Sequence, residues 1–545
     1  MESRRRLISG GRVFTGDPKM PWAEAAVVEG DRFTFVGEAE KAAAFAGASA
    51  EHVDCSGGLV LPGFVDGHVH VVMTGAALLK VQLRDAVSLE EIQERIGDWA
   101  TRNPAAPRVL ATGWVHGALA GSAPTREMLD EIVSDRPVYL DAYDLHSCWV
   151  NSAALQELGI TNSTPDPPGG RIVRNSETGQ ASGHLLETVV PEKVWPLINR
   201  VSEAQVDRQL LAALEVYAAA GITSVVDMAL EASALAAMKR AEAKGELSIR
   251  IVGHVIIHRR RDSSADLAQV EEAARLAAEY DSDRLRVAGI KIIGDGTIDG
   301  CTAALLEPYS NGENAEPIWD AESMNRVVVA ADAAGLQVAI HAIGDRTIRN
   351  SIDAIELAAK VNGTSGRRHR IEHLEYAAQE DIERLAGLGI TASMQPIHAD
   401  PRFLVNWIAM LGAERAQEGF AWPRYIEAGA TLALGTDAPT APFEPIPNMY
   451  VAATRASPSD PSVAPHRPEW ALPLEEAILH GTRESAYAAW LEHLTGMIQV
   501  GLAADLVVLD RDVIEEGSKA LLDAGVRLTM MGGEVTYSPT GTGSL

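Results

Sequence analysis

The chain has 545 residues, 46% hydrophobic and 22% charged, the composition of a folded globular protein; a disordered, collagenous or coiled-coil chain is excluded. Lys and Arg number 47 against 75 Asp and Glu, a formal charge of −28, which argues against nucleic acid or an anionic membrane as a partner because both need a basic face. Three scattered cysteines, Cys55, Cys148 and Cys301, make neither a disulfide framework nor a thiolate zinc site. The start has no apolar signal segment and no run reads as a membrane span, so a cytoplasmic address is expected.

In chain order, RVFTG, AEAAVVEG and RFTFVGE alternate apolar and polar residues between Gly and Asp turns, as antiparallel strands do. The far end reads alike in ADLVVLDRD and VRLTMMGGEVTYS. Neither end has enough strands to stand alone, so residues 1–60 and 490–545 are expected to join in one β-sandwich domain. Between them, apolar runs alternate with Ala-rich helical patterns. Eight runs qualify as strands: LVLPGFVDGHVH, ITSVVDM, IRIVGHVI, RVAGIKIIGDG, LQVAIHAIGD, HRIEHLE, TASMQP and TLALGTDAP. Eight strands alternating with helices predict a (β/α)8 TIM barrel over residues 61–489. A stretch from 79 to 202, with strand-like pieces and the Pro/Gly-rich TNSTPDPPGG, reads as an insertion after the first barrel strand, a lid or substrate subdomain.

The chemistry lies at the strand ends. His68 and His70 flank one residue, so both imidazoles leave the strand on the same side. Lys291 lies in the fourth run, His341 ends the fifth, His373 the sixth, and Asp437 follows the eighth. Barrel enzymes place catalysis at C-terminal strand ends. A lone His there is ordinarily a hydrogen-bonded structural residue; six such groups on five strands of one barrel are hard to obtain by chance. Imidazole and carboxylate donors suit zinc or a similar divalent ion. An ammonium cannot ligate a metal, but a buried Lys291 near cations would become a neutral amine able to take up carbon dioxide, and the carbamate offers oxygens to two ions. The alternative is a salt bridge from Lys291 to Asp295 or to a substrate carboxylate.

These residues, with PGFVDGHVH, LDEIVSDRPVYLDAYDLHSCWVNSAAL, HAIGDRTI, RIEHLE, SMQP, LGTDAP and GLAADLVVLDRD, resemble the metal-dependent amidohydrolase superfamily, in particular its family 3 branch, which includes N-substituted formamide deformylases. The resemblance spans essentially the whole chain. KIIGDG lacks the aromatic that often precedes Asp-Gly, and DLHS replaces the more usual Asp-Gly-His-Ser. The resemblance implies two divalent ions, zinc first among them, one held by His68, His70 and Asp437, the other by His341 and His373, with carboxylated Lys291 bridging. It further implies hydrolysis of a C–N bond in a small amide-type substrate, an N-substituted formamide or N-acyl compound, by a hydroxide shared between the ions, with Asp437 as general base and then acid.

Trp114, His116, His146 and Asn151 in the insertion, and Gln395 in SMQP, are the candidate substrate contacts; for the first four, packing within the insertion is the competing reading. The other histidines, His398 among them, read as structural or surface residues, though His466 or His480 could touch substrate. A deaminase would carry Glu three residues after the fifth-strand His, where this chain has Gly344. A cyclic amidohydrolase and a catalytically inactive ligand-binding barrel stay open as alternatives. The oligomeric state is also open, and a homodimer is compatible with the sequence.

Overall fold

The computed structural model describes residues 5–539, apart from 120, 144–146, 168–169, 199, 261 and 364–365. The chain divides into two compact units, Met1–Val71 with Leu214–Leu545, and Val72–Ala213.

The eight predicted runs form the centre of the first unit: β1 (Phe64–Val69), β2 (Ile222–Leu230), β3 (Arg250–Ile256), β4 (Leu285–Ile293), β5 (Gln337–Ala342), β6 (Arg370–His373), β7 (Thr391–Met394) and β8 (Leu432–Leu434). They lie in sequential order, each parallel to the next. β1 and β6–β8 are buried along their whole length, as strands covered on both faces must be. The ends of the order meet where Asp437 N donates to His68 O (2.7 Å) and His70 N to Ala438 O (2.9 Å). Two glycines permit this seam: a Cβ on Gly67 would stand 2.7 Å from Leu434 O, and one on Gly435 2.4 Å from His68 N. Amphipathic helices clothe the barrel; Asp345–Asn362, for example, buries Ile348, Ile352 and Ile355 along one face.

Strands from both chain ends, expected as a β-sandwich, make one further sheet. Leu59–Pro62 pairs in parallel with Arg5–Phe14 on one side and antiparallel with Leu506–Leu509 on the other. Ile8, Val13, Val60, Leu506 and Val508 share its core. The sheet is tied to the barrel by a buried ion pair, Arg250 at the start of β3 on Asp505 (2.8 and 3.0 Å).

The second unit is wider than the 79–202 stretch read from the sequence. Its two ends associate as helices: a Cβ on Gly75, in Val71–Leu78, would fall 1.7 Å from Gln209 O of Glu203–Ala219, so the two backbones nearly touch. Its centre is a six-stranded sheet ordered Gly170–Arg174, Ala181–Glu187, Ser147–Val150, Val138–Ala142, Val109–Trp114, Val81–Gln82. Among the described residues no helix is long and apolar enough to cross a membrane. All three cysteines are free thiols.

Candidate active site

The C-terminal ends of the barrel strands bring five of the six predicted ligands to one place by direct distances. His68 Nε2 and His70 Nε2 lie 3.3 and 3.2 Å from the same oxygen, Asp437 Oδ1. The His68 and His373 ring centres are 5.0 Å apart, and those of His373 and His341 4.4 Å. His68, His373 and Asp437 each offer a donor atom within 4.8 Å of the others. Backbone strain helps to aim them: Asp437 and His373 both adopt left-handed conformations (φ 59° and 75°). The Thr440 hydroxyl lies 2.9 Å from Asp437 Oδ2 and 2.7 Å from its carbonyl oxygen, its single proton shared between them, holding the strained turn.

The far sides of the rings set their orientation. His68 Nδ1 is 2.7 Å from Glu372 Oε2, and His70 Nδ1 donates to Met228 O at 2.5 Å, which leaves both Nε2 atoms directed inward. Glu372 is itself clamped by Arg370, whose Nε donates to Oε1 at 2.5 Å and whose Nη2 also reaches Gly67 O and Ser393 Oγ. Arg370 and Glu372 are both fully buried. Asp66 receives the amides of His68 and Thr436 and the Thr436 hydroxyl, stitching β1 to the loop after β8. Burial pushes this carboxyl up to about 7 against those hydrogen bonds.

Lys291 is the sixth ligand candidate. It is 1% exposed and its Nζ has no hydrogen-bond partner. The salt bridge to Asp295 entertained from the sequence does not form: Asp295 instead accepts the backbone amides of Ala304, Ile343 and Gly344. Burial pushes the Lys291 amine down to about 8, with Arg370 acting in the same sense and Glu372 and Asp437 opposing. Its charge is felt in turn by His68, His341 and His373. Burial first, then Lys291, lowers His68 to about 4 and His341 to about 3; burial and His341 hold His373 well below the usual imidazole range. Burial would raise Asp437, but the imidazoles, His68 foremost, more than offset it and keep the carboxyl well below its ordinary value. At neutral pH His68, His341 and His373 are therefore neutral and Asp437 is ionised, the protonation states a divalent ion requires, whereas for His70 burial is outweighed by the hydrogen bond and charge of Asp437, which move it upward. The orphaned, buried Lys291 Nζ and His373 Nδ1 are what is expected where a further group completes the site.

The predicted pocket residues fall differently. Gln395, after β7, is buried with Nε2 3.4 Å from His68 Nδ1 and Oε1 unpartnered, so it stands in the wall of the cluster. Trp114 is buried in the second unit, donating Nε1 to Leu140 O and packing edge-on to Trp149. Asn151 is fully buried and caps helix Ser152–Glu157; its Oδ1 takes the amides of Val138 and Ala154, and its Nδ2 donates to Val133 O and Arg136 O. Those contacts are the packing role that competed with substrate binding for both residues. His116 opens a short turn, His116–Leu119. His146 lies outside the described residues.

The sequence reading missed His398. Rather than a structural or surface residue, it sits on the turn Pro396–Ala399 with Nε2 3.7 Å from Asp437 Oδ2 and Nδ1 3.3 Å from Glu375 Oε1, its ring parallel to His373 at 6.0 Å. Asn448 pins that turn, accepting the Ile397 amide and donating to Gly435 O. His373, Glu375 and His398 form a second set of donors within 4.8 Å of one another. The available signal was the placement of His398 just past a barrel strand, three residues after Gln395.

Comparison with known proteins accords with this geometry. The profile of an amidohydrolase family matches residues 51–537. The putative amidohydrolase YtcJ of Bacillus subtilis is 30% identical over 540 residues, covering 97% of this chain and 98% of that protein. The N-substituted formamide deformylase of Arthrobacter pascens is 27% identical over 563 residues, covering 99% and 100%. The crystal structure of an uncharacterized metal-dependent hydrolase from Pyrococcus horikoshii OT3 superposes with a TM-score of 0.76 at 26% identity, covering 94% of this chain and 98% of that one.

Proposed function

The chain belongs to the amidohydrolase family, metal-dependent hydrolases of carbon–nitrogen bonds, and from that premise we propose that it cleaves a small acyclic amide of the N-substituted formamide or N-acyl class, with Asp437 carrying the proton. The observation that supports this most is the meeting of His68, His70, His341, His373 and Asp437 at one point with an unpartnered Lys291 buried in its wall. His68, His70 and Asp437 would hold one ion and His341 and His373 a second, with Lys291, carboxylated, between them. When bound, such ions polarise a carbonyl and lower the pKa of water, so that nucleophilic water exists near neutral pH.

The protein's own part is orientation and proton transfer. The lowered Asp437 carboxyl is ionised at neutral pH and free to accept a proton at Oδ2, beside the Thr440 hydroxyl. It takes the proton of the attacking water and returns it to the leaving nitrogen as the C–N bond breaks, so its protonation is restored each cycle. Glu372 and the Met228 carbonyl keep the β1 imidazoles in register throughout. Deamination is disfavoured by space as well as by residue type: a Cβ at Gly344 would lie 2.2 Å from Ala304 O, so no glutamate can stand three residues beyond His341.

The test is a hydrolysis panel of N-formyl, N-acetyl and cyclic amides on protein of measured metal content. Turnover of the acyclic amides, abolished by chelator and restored by zinc, is expected. Turnover confined to cyclic amides moves the assignment to ring opening, and metal-free protein without turnover would mark a binding barrel.

A further inference from the structure

A cavity of about 470 Å³ opens at the opposite end of the barrel, among the N-terminal ends of the strands whose other ends carry Lys291, His341 and His373. Three arginines line it, Arg286, Arg367 and Arg368, against the carboxylates of Asp332 and Glu492, with Trp490 forming one wall. Two of the cations are neutralised locally. Arg367 Nη2 bonds Asp332 (2.6 Å), and Arg368 Nη2 bonds Glu492 Oε1 (2.5 Å) while its guanidinium stacks on Tyr487 and Trp490 at 3.6 and 3.9 Å.

Arg286 is left over. It is half-buried, donates only a long hydrogen bond (3.5 Å) to Trp490 O, and has no ion-pair partner among the described residues. The charges of Asp281 and Glu492 reach it without an ion-pair contact, so its burial is offset only in part and its guanidinium fork stays open to an anion. Glu492 contributes a second unmet demand: its Oε2 is buried with no donor.

We propose that this cavity is a binding site for a small carboxylate bearing a hydrogen-bond donor, such as a 2-hydroxy acid, with the carboxylate on Arg286 and the donor toward Glu492 Oε2. One free planar fork matches one carboxylate. A phosphate dianion would place its second charge against Glu492 and Asp332. The volume is that of a small-molecule pocket, and burial lowers the Arg286 guanidinium from its ordinary value despite the opposing charges of Asp281 and Glu492. The site lies on different residues from the metal cluster and stands independently of the reaction proposed above.

Isothermal titration of the full-length, metal-loaded protein with mandelate, and separately with inorganic phosphate at matched ionic strength, tests it. Saturable mandelate binding, tighter than phosphate, is expected, with at least a tenfold loss in Arg286→Gln. Arg286→Lys, which keeps a charge in the same cavity, should retain part of the affinity, separating loss of the ligand's partner from loss of the fold. Equal affinity in the wild type and Arg286→Gln, as chelation by the catalytic ions would give, overturns the assignment. So does phosphate binding more tightly than mandelate, or no saturable binding at all.

Discussion

Replacing Glu372 with glutamine tests the construction of the proposed metal site where it is least visible. The carboxylate lies 2.7 Å from His68 Nδ1 and 2.5 Å from Arg370 Nε, and the side chains of His68, Glu372 and Arg370 are 1%, 0% and 0% exposed. Glu372→Gln keeps the volume and one acceptor but removes the charge. Breaking a buried ion pair from one side costs about 3–5 kcal/mol. Arg370 retains Gly67 O and Ser393 Oγ at 2.6 and 2.7 Å, so the lower end, about 3 kcal/mol, is expected at neutral pH. Losing a charged partner behind a ligating histidine weakens metal binding roughly 10–100-fold.

The pH dependence has a definite sign. Burial would raise the Glu372 carboxyl, but Arg370 and His68 hold it well below its ordinary range. Its stabilising contribution is therefore complete above about pH 4.3, the ordinary glutamate value, and is lost as the pH falls toward the folded-state value. The assay is zinc competition against a chromophoric chelator, paired with denaturant unfolding of the metal-free protein. A variant that binds zinc as tightly as the wild type and unfolds at the same denaturant concentration would refute the view that Arg370 and Glu372 hold His68 in place.

Asp437→Asn is expected to leave the fold and most of the bound metal while reducing turnover at least a thousandfold, if that carboxylate carries the proton as proposed; steady-state kinetics with metal analysis checks it, and near-wild-type kcat contradicts the proposed role. Carboxylation of Lys291 is checked by carbon-13 NMR after exchange with labelled bicarbonate: a carbamate resonance is expected in the wild type and not in Lys291→Met. Because burial brings the amine to about 8, its neutral form grows as the pH rises through that value, so metal-free protein held at the same dissolved carbon dioxide concentration should label faster at pH 9 than at pH 7. Gly435→Ala would drive a Cβ to 2.4 Å from His68 N at the barrel seam. Overpacking of that kind costs about 1–3 kcal/mol, and the displaced His68 should lower metal affinity as well; calorimetry and metal titration showing neither would mean that the seam yields easily.

The amino-acid sequence by itself determined the barrel and which polar residues stand at its strand ends, because both follow from short-range periodicity. Every predicted run became a strand, since β-branched and apolar residues in runs bounded by loops have few other buried conformations. His68 and His70 had to share a side because alternate residues of a strand do. What lies opposite a strand end is decided by tertiary structure alone. Glu372, in RIEHLE, reads as a solvated acid until folding carries it to an imidazole 304 residues away in the chain. His398 resembled any loop histidine until Asn448 pinned its turn beside Asp437. Conversely, Asn151 looked available for a ligand, yet its amide is consumed by four backbone groups brought near by packing of the second unit. The physical reason is common to all three. Whether a polar side chain is free or spent depends on its partners, and partners distant in sequence leave no local trace in the residues they bind.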